Sequence, residues 1–272
     1  MIAILLAAGY AIRFYPLTKD KPKSLLPLGS KLIIDYIMDE IDKLPDLNRI
    51  ILVTNSRFAG QFEDLASSCD RSGKAPISVL DDGTTNNDNR LGAIGDIIFT
   101  IKKENIDEDL AIFAGDNIFT YSLTDMYAFF KEKNAPTLIA INVPDVEQRR
   151  KLAIAEIAED GQVLDMVEKP SEPKTEWGIY AAYFYGREII PLFDRYIAEG
   201  NPPDAPGNFP SWLYKIMPVY AYKGEGECID IGTHENYAQK FVKSTRTDNL
   251  YYLAREGLFR DCRSAGGCVL RL

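Results

Sequence analysis

Leu5-Leu6-Ala7-Ala8-Gly9-Tyr10-Ala11-Ile12-Arg13-Phe14-Tyr15-Pro16-Leu17-Thr18 decides how this chain is read, together with Pro22-Lys23 and the leucine-proline turn Leu25-Leu26-Pro27 that follow it. An apolar strand, Ile2–Leu6, runs into a small-residue turn that carries one arginine and one lysine. A strand ending in such a turn leaves several backbone N–H groups unpaired and pointing one way. An anion placed there accepts them, so that no desolvated donor is stranded. Arg13 and Lys23 add positive charge over the same place. The pattern is that of a loop built to hold a polyphosphate. Neither G-x-x-x-x-G-K-[ST] nor G-x-G-x-x-G is present, so the loop is of another kind.

Outward from this loop, apolar and β-branched runs recur at Ile50–Thr54, Ile77–Leu80, Ala111–Ala114 and Thr137–Asn142. Amphipathic patterns lie between them at 32–43, 60–67, 92–103 and 123–133. Alternation of this kind predicts an α/β fold, a mostly parallel sheet with helices on both faces. From about Val143 the runs shorten and alternate, at 153–158, 163–167 and 179–185, with Asp160-Gly161 as a turn between two of them. They predict a smaller, mixed β region over the ligand cleft. A helix is expected over 187–199, then a polar loop 201–208, a segment at 212–215 and strands at 219–222 and 228–231. No linker rich in Pro, Gly or Ser divides the chain, and no internal repeat appears.

Composition narrows the function classes. With 272 residues, 46% of them hydrophobic, the chain can bury a full core without a disulfide or metal staple. Its net charge of −9 argues against general nucleic-acid binding, which depends on Lys and Arg neutralising phosphates. The four cysteines lack C-x-x-C spacing and the one histidine is His234, which makes a zinc site or Cys-His catalysis a poor reading. No long apolar run and no basic leader is present, so a cytoplasmic protein that does not engage membranes is expected.

Two acids follow apolar strands. Phe113-Ala114-Gly115-Asp116-Asn117 and Cys228-Ile229-Asp230-Ile231-Gly232-Thr233 each put an aspartate where open α/β sheets bind their ligands. Brought together, Asp116 and Asp230 could hold a Mg²⁺ ion, which takes one or two carboxylates with phosphate oxygens and water.

The opening stretch resembles the signature of the sugar-1-phosphate nucleotidyltransferase family, L-A-A-G-x-G-x-R-x-x-P-L-T-x-x-x-P-K. Here Ala11 stands at the family's second glycine and Ile12 at a common threonine. Alanine tolerates positive φ poorly, which predicts a loop set somewhat differently against the triphosphate. The resemblance implies a Rossmann-like nucleotide-sugar transferase fold. It implies one nucleotidyltransferase domain over residues 1–243, with a nucleotide-binding half 1–142 and a sugar-phosphate-binding half 143–243. Beyond about Ser244 it stops, and the tail 244–272 has no assigned role.

Further motifs extend the resemblance. G-D-N and D-x-G-T imply Asp116 and Asp230 as the Mg²⁺ ligands, with Asn117 beside the substrate. Glu168-Lys169-Pro170 matches the family's E-K-P, whose lysine contacts the sugar phosphate. An ammonium there offsets the repulsion between two anionic reactants. The family's Tyr-Gly-Val-Val-Glu is replaced by Leu152-Ala153-Ile154-Ala155-Glu156, so Ala153 stands where a glycine admits the sugar. Gly178 matches a later glycine-aromatic strand, either lining the sugar pocket or packing in the strand.

The resemblance therefore implies nucleotidyl transfer from a nucleoside triphosphate to a sugar-1-phosphate, with release of pyrophosphate. Arg13 and Lys23 would act on the triphosphate and Lys169 on the sugar phosphate. Leu6, Ala8, Gly9, Asp81, Gly83 and Gly92 would hold the nucleotide, and Asn117, Ala153, Glu168 and Gly178 the acceptor. Glucose 1-phosphate with dTTP or UTP is the first expectation. Asp81 and Asp82 stand where thymidylyl and uridylyl members carry a glutamine. A carboxylate accepts from an exocyclic amine, so cytosine or guanine fits there. A cytidylyltransferase using CTP with a sugar-1-phosphate or phosphocholine is one alternative. A catalytically inactive regulatory subunit that binds a nucleotide-sugar is the other, and self-association is left open.

Overall fold

The computed structural model describes residues 1–229 and Tyr237. In chain order the elements are β1 (Ile2–Leu6), β2 (Pro27–Leu28), β3 (Lys31–Leu32), α1 (Ile33–Ile41), β4 (Arg49–Thr54), α2 (Ala59–Ser68), β5 (Ile77–Asp81) and α3 (Ala93–Glu104). Then come β6 (Leu110–Ala114), β7 (Ile118–Phe119), α4 (Leu123–Lys133), β8 (Thr137–Asn142), α5 (Val146–Arg149), β9 (Ala153–Ile157), β10 (Val163–Glu168) and β11 (Trp177–Tyr185). The described part closes with α6 (Ile190–Ala198), α7 (Asn208–Leu213), β12 (Tyr220–Lys223) and β13 (Cys228–Ile229).

Strands β5, β4, β1 and β6 lie side by side and parallel. Next to β6 runs the long strand β11, antiparallel to it, with β8 and then β12 beyond. The expected sheet is present, with helices on both faces. The alternation of its parallel strands sorts side chains onto two cores. Ala3, Leu5, Leu52 and Phe113 pack with Ile37, Phe62 and Phe130 of α1, α2 and α4. Ile2, Ile4, Ile51 and Ile112 pack with Ile97 of α3, Phe193 of α6 and Phe209 of α7.

Strand β11 positions the site. Its second half pairs with β6 from Ala182 opposite Phe113 to Tyr185 opposite Leu110. Its first half reaches past the end of β6 and pairs instead with β9, Gly178 opposite Ile154 and Ile179 opposite Ala153. The β9–β10 hairpin therefore joins the sheet through β11 beyond the end of β6, and Ala114 and Asn117 share a cavity there with Ala153 and Glu168. A register shift in the β11–β8 ladder between Tyr180 and Tyr183 falls at this changeover.

Some expected elements shift. The helix expected at 187–199 starts as a single 3₁₀ turn, Arg187–Ile189, before α6, where Pro191 sits in the first turn and loses no hydrogen bond. The segment read at 212–215 belongs to α7, which begins at Asn208 because Phe209 stacks on Phe193 with ring centroids 4.0 Å apart. Strand β13 pairs with β7, a two-residue strand too short to show a period in sequence.

Candidate active site

The turn after β1 is pinned from below. Gly115 N–H donates to the Leu6 carbonyl at 2.8 Å and Ala7 N–H to Val53 at 2.9 Å. The Asn55 amide, wholly buried, donates to the Ala8 carbonyl at 2.9 Å. By contrast, the amides of Ala8 through Arg13 donate to no acceptor among the described residues. These are the free donors that an anion-binding turn requires. The left-handed position of the turn falls on Ala11, φ 45° and ψ 43°. Thr18 Oγ1 donates to the Ala11 carbonyl at 2.8 Å and Phe14 N–H to the same oxygen at 2.8 Å. Those two bonds hold alanine where glycine was expected, against a cost on the order of 1 kcal/mol. Gly9 leaves open space where a side chain would stand, so the loop is bare at that point.

A cleft of about 610 Å³ opens on this loop, lined by Leu6, Gly9, Arg13, Lys23, Arg90 and Asp116 among others. Lys23 Nζ lies 2.9 Å from Asp116 Oδ2 and 5.3 Å from the Phe14 ring centroid. Burial alone would raise the Asp116 carboxyl, but the Lys23 charge and hydrogen bond outweigh it and hold it below the usual carboxylate range. Asp116 is therefore ionised at neutral pH. Arg13 is exposed and makes no hydrogen bond or ion pair among the described residues, which leaves its guanidinium to a ligand.

A second cavity of about 360 Å³ adjoins the first, lined by Asn117, Lys151, Ala153, Glu168, Lys169 and Tyr183 among others. Ala114 and Pro206 line both cavities. Lys169 adopts φ +48° immediately after β10, its N–H held by the Leu152 carbonyl at 2.9 Å, and its ammonium lies 3.5 Å from Glu168 Oε1. Burial pushes the Glu168 carboxyl up, against the lowering effect of Lys169. One cavity thus joins free amides to Arg13, Lys23 and Arg90, and its neighbour holds Lys151 and Lys169 beside a half-buried acid.

Several expected residues lie elsewhere. Asp81, Gly83, Gly92 and Ala8 do not line the nucleotide-side cleft. The Asp81 carboxylate is tied into a turn by Ser56 Oγ at 2.8 Å and Gly83 N–H at 2.9 Å, and Ala8 turns its carbonyl to Asn55. Asp82 is buried. Neither acid lines the cleft, where Asn87 and Arg90 stand instead. Gly92 packs against another segment: at φ +80° a Cβ would lie 2.7 Å from the Pro203 carbonyl. Gly92→Ala is expected to lose about 2 kcal/mol or more of stability, read as a lower urea midpoint at unchanged slope. Gly178 packs rather than lines, since a Cβ would meet Val143 at 2.9 Å and Leu152 at 3.1 Å. Asp230 and His234 lie outside the described residues. Sequence reading passed over Asn55, Asn87, Gln148, Lys151 and Tyr183, none of which belongs to a short motif.

A family model described as nucleotidyl transferase matches residues 2–247. The chain belongs to that family. It is an enzyme of nucleotidyl transfer. A glucose-1-phosphate adenylyltransferase of Clostridium novyi is 28% identical over 262 residues, 92% of this chain and 68% of the relative. A glucose-1-phosphate thymidylyltransferase of Neisseria meningitidis is 28% identical over 271 residues, 93% of this chain and 86% of the relative. Across the first four curated relatives the chain spans between 42% and 74% of their length. A solved UDP-glucose pyrophosphorylase in complex with UDP-glucose shares the fold, with a TM-score of 0.74 at 21% identity over 93% of this chain and 99% of that one.

Proposed function

We propose that this nucleotidyltransferase acts on a sugar-1-phosphate. The observation that carries the reading is the pair of adjoining cavities, cationic on each side and meeting at Ala114 and Pro206 next to Asp116. An oxygen of the sugar phosphate attacks the α-phosphorus of the triphosphate and forms the new P–O bond, while the bond to pyrophosphate breaks and the leaving group departs with its electron pair. No covalent enzyme intermediate is needed. Arg13, Lys23 and the free amides of the loop hold the triphosphate in line, and Lys169 brings up the second anion. Glucose 1-phosphate with dTTP or UTP is the substrate pair we favour.

Asp116 suits a Mg²⁺ ion, being an ionised carboxylate on the nucleotide cleft with room beside it for phosphate oxygens and water. Asp230 would be the second protein ligand. When bound, the ion would neutralise charge building up on the phosphates.

Pyrophosphate release tests the reading, assayed with Mg²⁺ for ATP, CTP, GTP, UTP and dTTP against a panel of sugar-1-phosphates and phosphocholine. Release that needs one triphosphate and one sugar-1-phosphate is expected. Release with phosphocholine alone would replace the acceptor, and silence from folded protein that binds nucleotide would replace catalysis by binding. Lys169→Ala is expected to raise the acceptor KM about tenfold to a hundredfold, the value of a charge-assisted contact, with the triphosphate KM nearly unchanged.

A further inference from the structure

The segment between α6 and α7 touches both cavities and is fixed at both ends. At its start the Tyr196 hydroxyl donates to the Pro202 carbonyl at 2.8 Å and Asn201 Nδ2 to the Tyr196 carbonyl at 2.9 Å. In its middle the carbonyls of Pro203 and Asp204 accept from the first amides of α3, Ile94 at 2.9 Å and Ala93 at 3.1 Å, and Asp204 pairs with Arg90 at 3.1 Å. At its end Asn208 N–H donates to Ala205, and Gly207 accepts from Ser211 N–H at 3.2 Å and Ser211 Oγ at 2.8 Å. Ala205, Pro206 and Gly207 all line the acceptor-side cavity.

Gly207 is not a glycine for backbone reasons, since φ −71° and ψ −14° suit any residue. What excludes a side chain is Glu168. A Cβ at 207 would stand 2.3 Å from Glu168 Oε2 and 3.3 Å from the Ala153 Cβ. Resting on the proposed acceptor role of this cavity, we propose that Gly207 is a positioning residue. Its bare Cα is the seat that keeps the Glu168 carboxyl inside the acceptor cavity, and the anchored segment holds the seat still. The atom in conflict is the end of a flexible side chain, so Gly207→Ala gives way by moving the Glu168 carboxyl and spares the fold. At helical φ/ψ alanine also stabilises relative to glycine, because it narrows the freedom of the unfolded chain.

The test is Gly207→Ala, alone and combined with Glu168→Asp, read by kinetics with glucose 1-phosphate and by the variant's crystal structure. Expected are an unchanged or raised Tm, an acceptor KM about tenfold higher with the triphosphate KM within about twofold, and a Glu168 carboxyl displaced from its seat. The acid shortened by one methylene should recover part of the loss. A carboxyl that stays in place, equal shifts in both KM values, or no recovery would overturn the proposal. If the wild-type enzyme ignores every sugar-1-phosphate, the acceptor reading falls, and the carboxyl's position in the variant still decides whether Gly207 seats it.

Discussion

Asp116→Asn should lower kcat by about 10²- to 10⁴-fold, the size expected when about 3–5 kcal/mol of transition-state stabilisation is lost from a charge-neutralising site. Asparagine keeps the shape and an acceptor oxygen but removes the charge that a cation on the phosphates would need. Folding should be almost untouched. The Asp116 side chain is 40% exposed, at the edge of a cleft rather than in a core, and Lys23 retains its position over the Phe14 ring. Steady-state rates at saturating Mg²⁺, beside a thermal melt, separate the two effects. Near-normal turnover would remove Asp116 from the mechanism.

Asp96→Asn should raise stability at alkaline pH and flatten its pH dependence. Asp96 in the first turn of α3 and Asp82 after β5 are 6% and 7% exposed. Asp82 Oδ1 accepts from Thr84 N–H at 2.7 Å, but Asp82 Oδ2 and Asp96 Oδ1 are buried without a donor. Two buried carboxylates close together are satisfied when one keeps its proton and donates it to the other. Burial pushes the Asp96 carboxyl up to about 8, and the charge and hydrogen bond of Asp82 add to the shift. Burial raises Asp82 as well.

The sign follows from proton uptake. In the unfolded chain the Asp96 carboxyl loses its proton near 3.8, whereas the folded chain keeps it up to about 8. Between those limits the folded state holds the extra proton, so stability falls as pH rises through the window and the benefit is gone above it. The loss is of order 2–5 kcal/mol, bounded above by the full shift at 1.36 kcal/mol per unit. An asparagine amide at 96 can donate to Asp82 Oδ2 with no proton to lose. A Tm gain of about 5 °C or more at pH 8 to 9 is expected, with a smaller gain at pH 5, near the lower edge of the window. Parallel Tm profiles for the two proteins across that range would exclude the shared proton.

The two acids show where sequence reading stops. Asp81-Asp82 reads as polar surface beside a base pocket, because side-chain type is visible and burial is not. In the fold Asp81 is consumed by its own turn and Asp82 faces Asp96, on a helix that begins a dozen residues later. Gly178 was legible as a glycine with a purpose, but only the contacts of Val143 and Leu152 make that purpose packing. Asn55 carries no motif, yet it fixes the loop through the Ala8 carbonyl.

By itself the amino-acid sequence determined the strands β1, β4, β5, β6 and β8, the helices between them and the small-residue turn after β1 with Arg13 and Lys23 near it. Each of these is written in local periodicity or in a short run of neighbouring residues. The tertiary structure alone decided that β11 changes partner from β6 to β9, that Asn117 shares a cavity with Ala153 and Glu168, and that the segment before α7 borders both cavities. Those outcomes depend on pairing between residues far apart in the chain, whose energy comes from burial and ladder hydrogen bonds that no local pattern records.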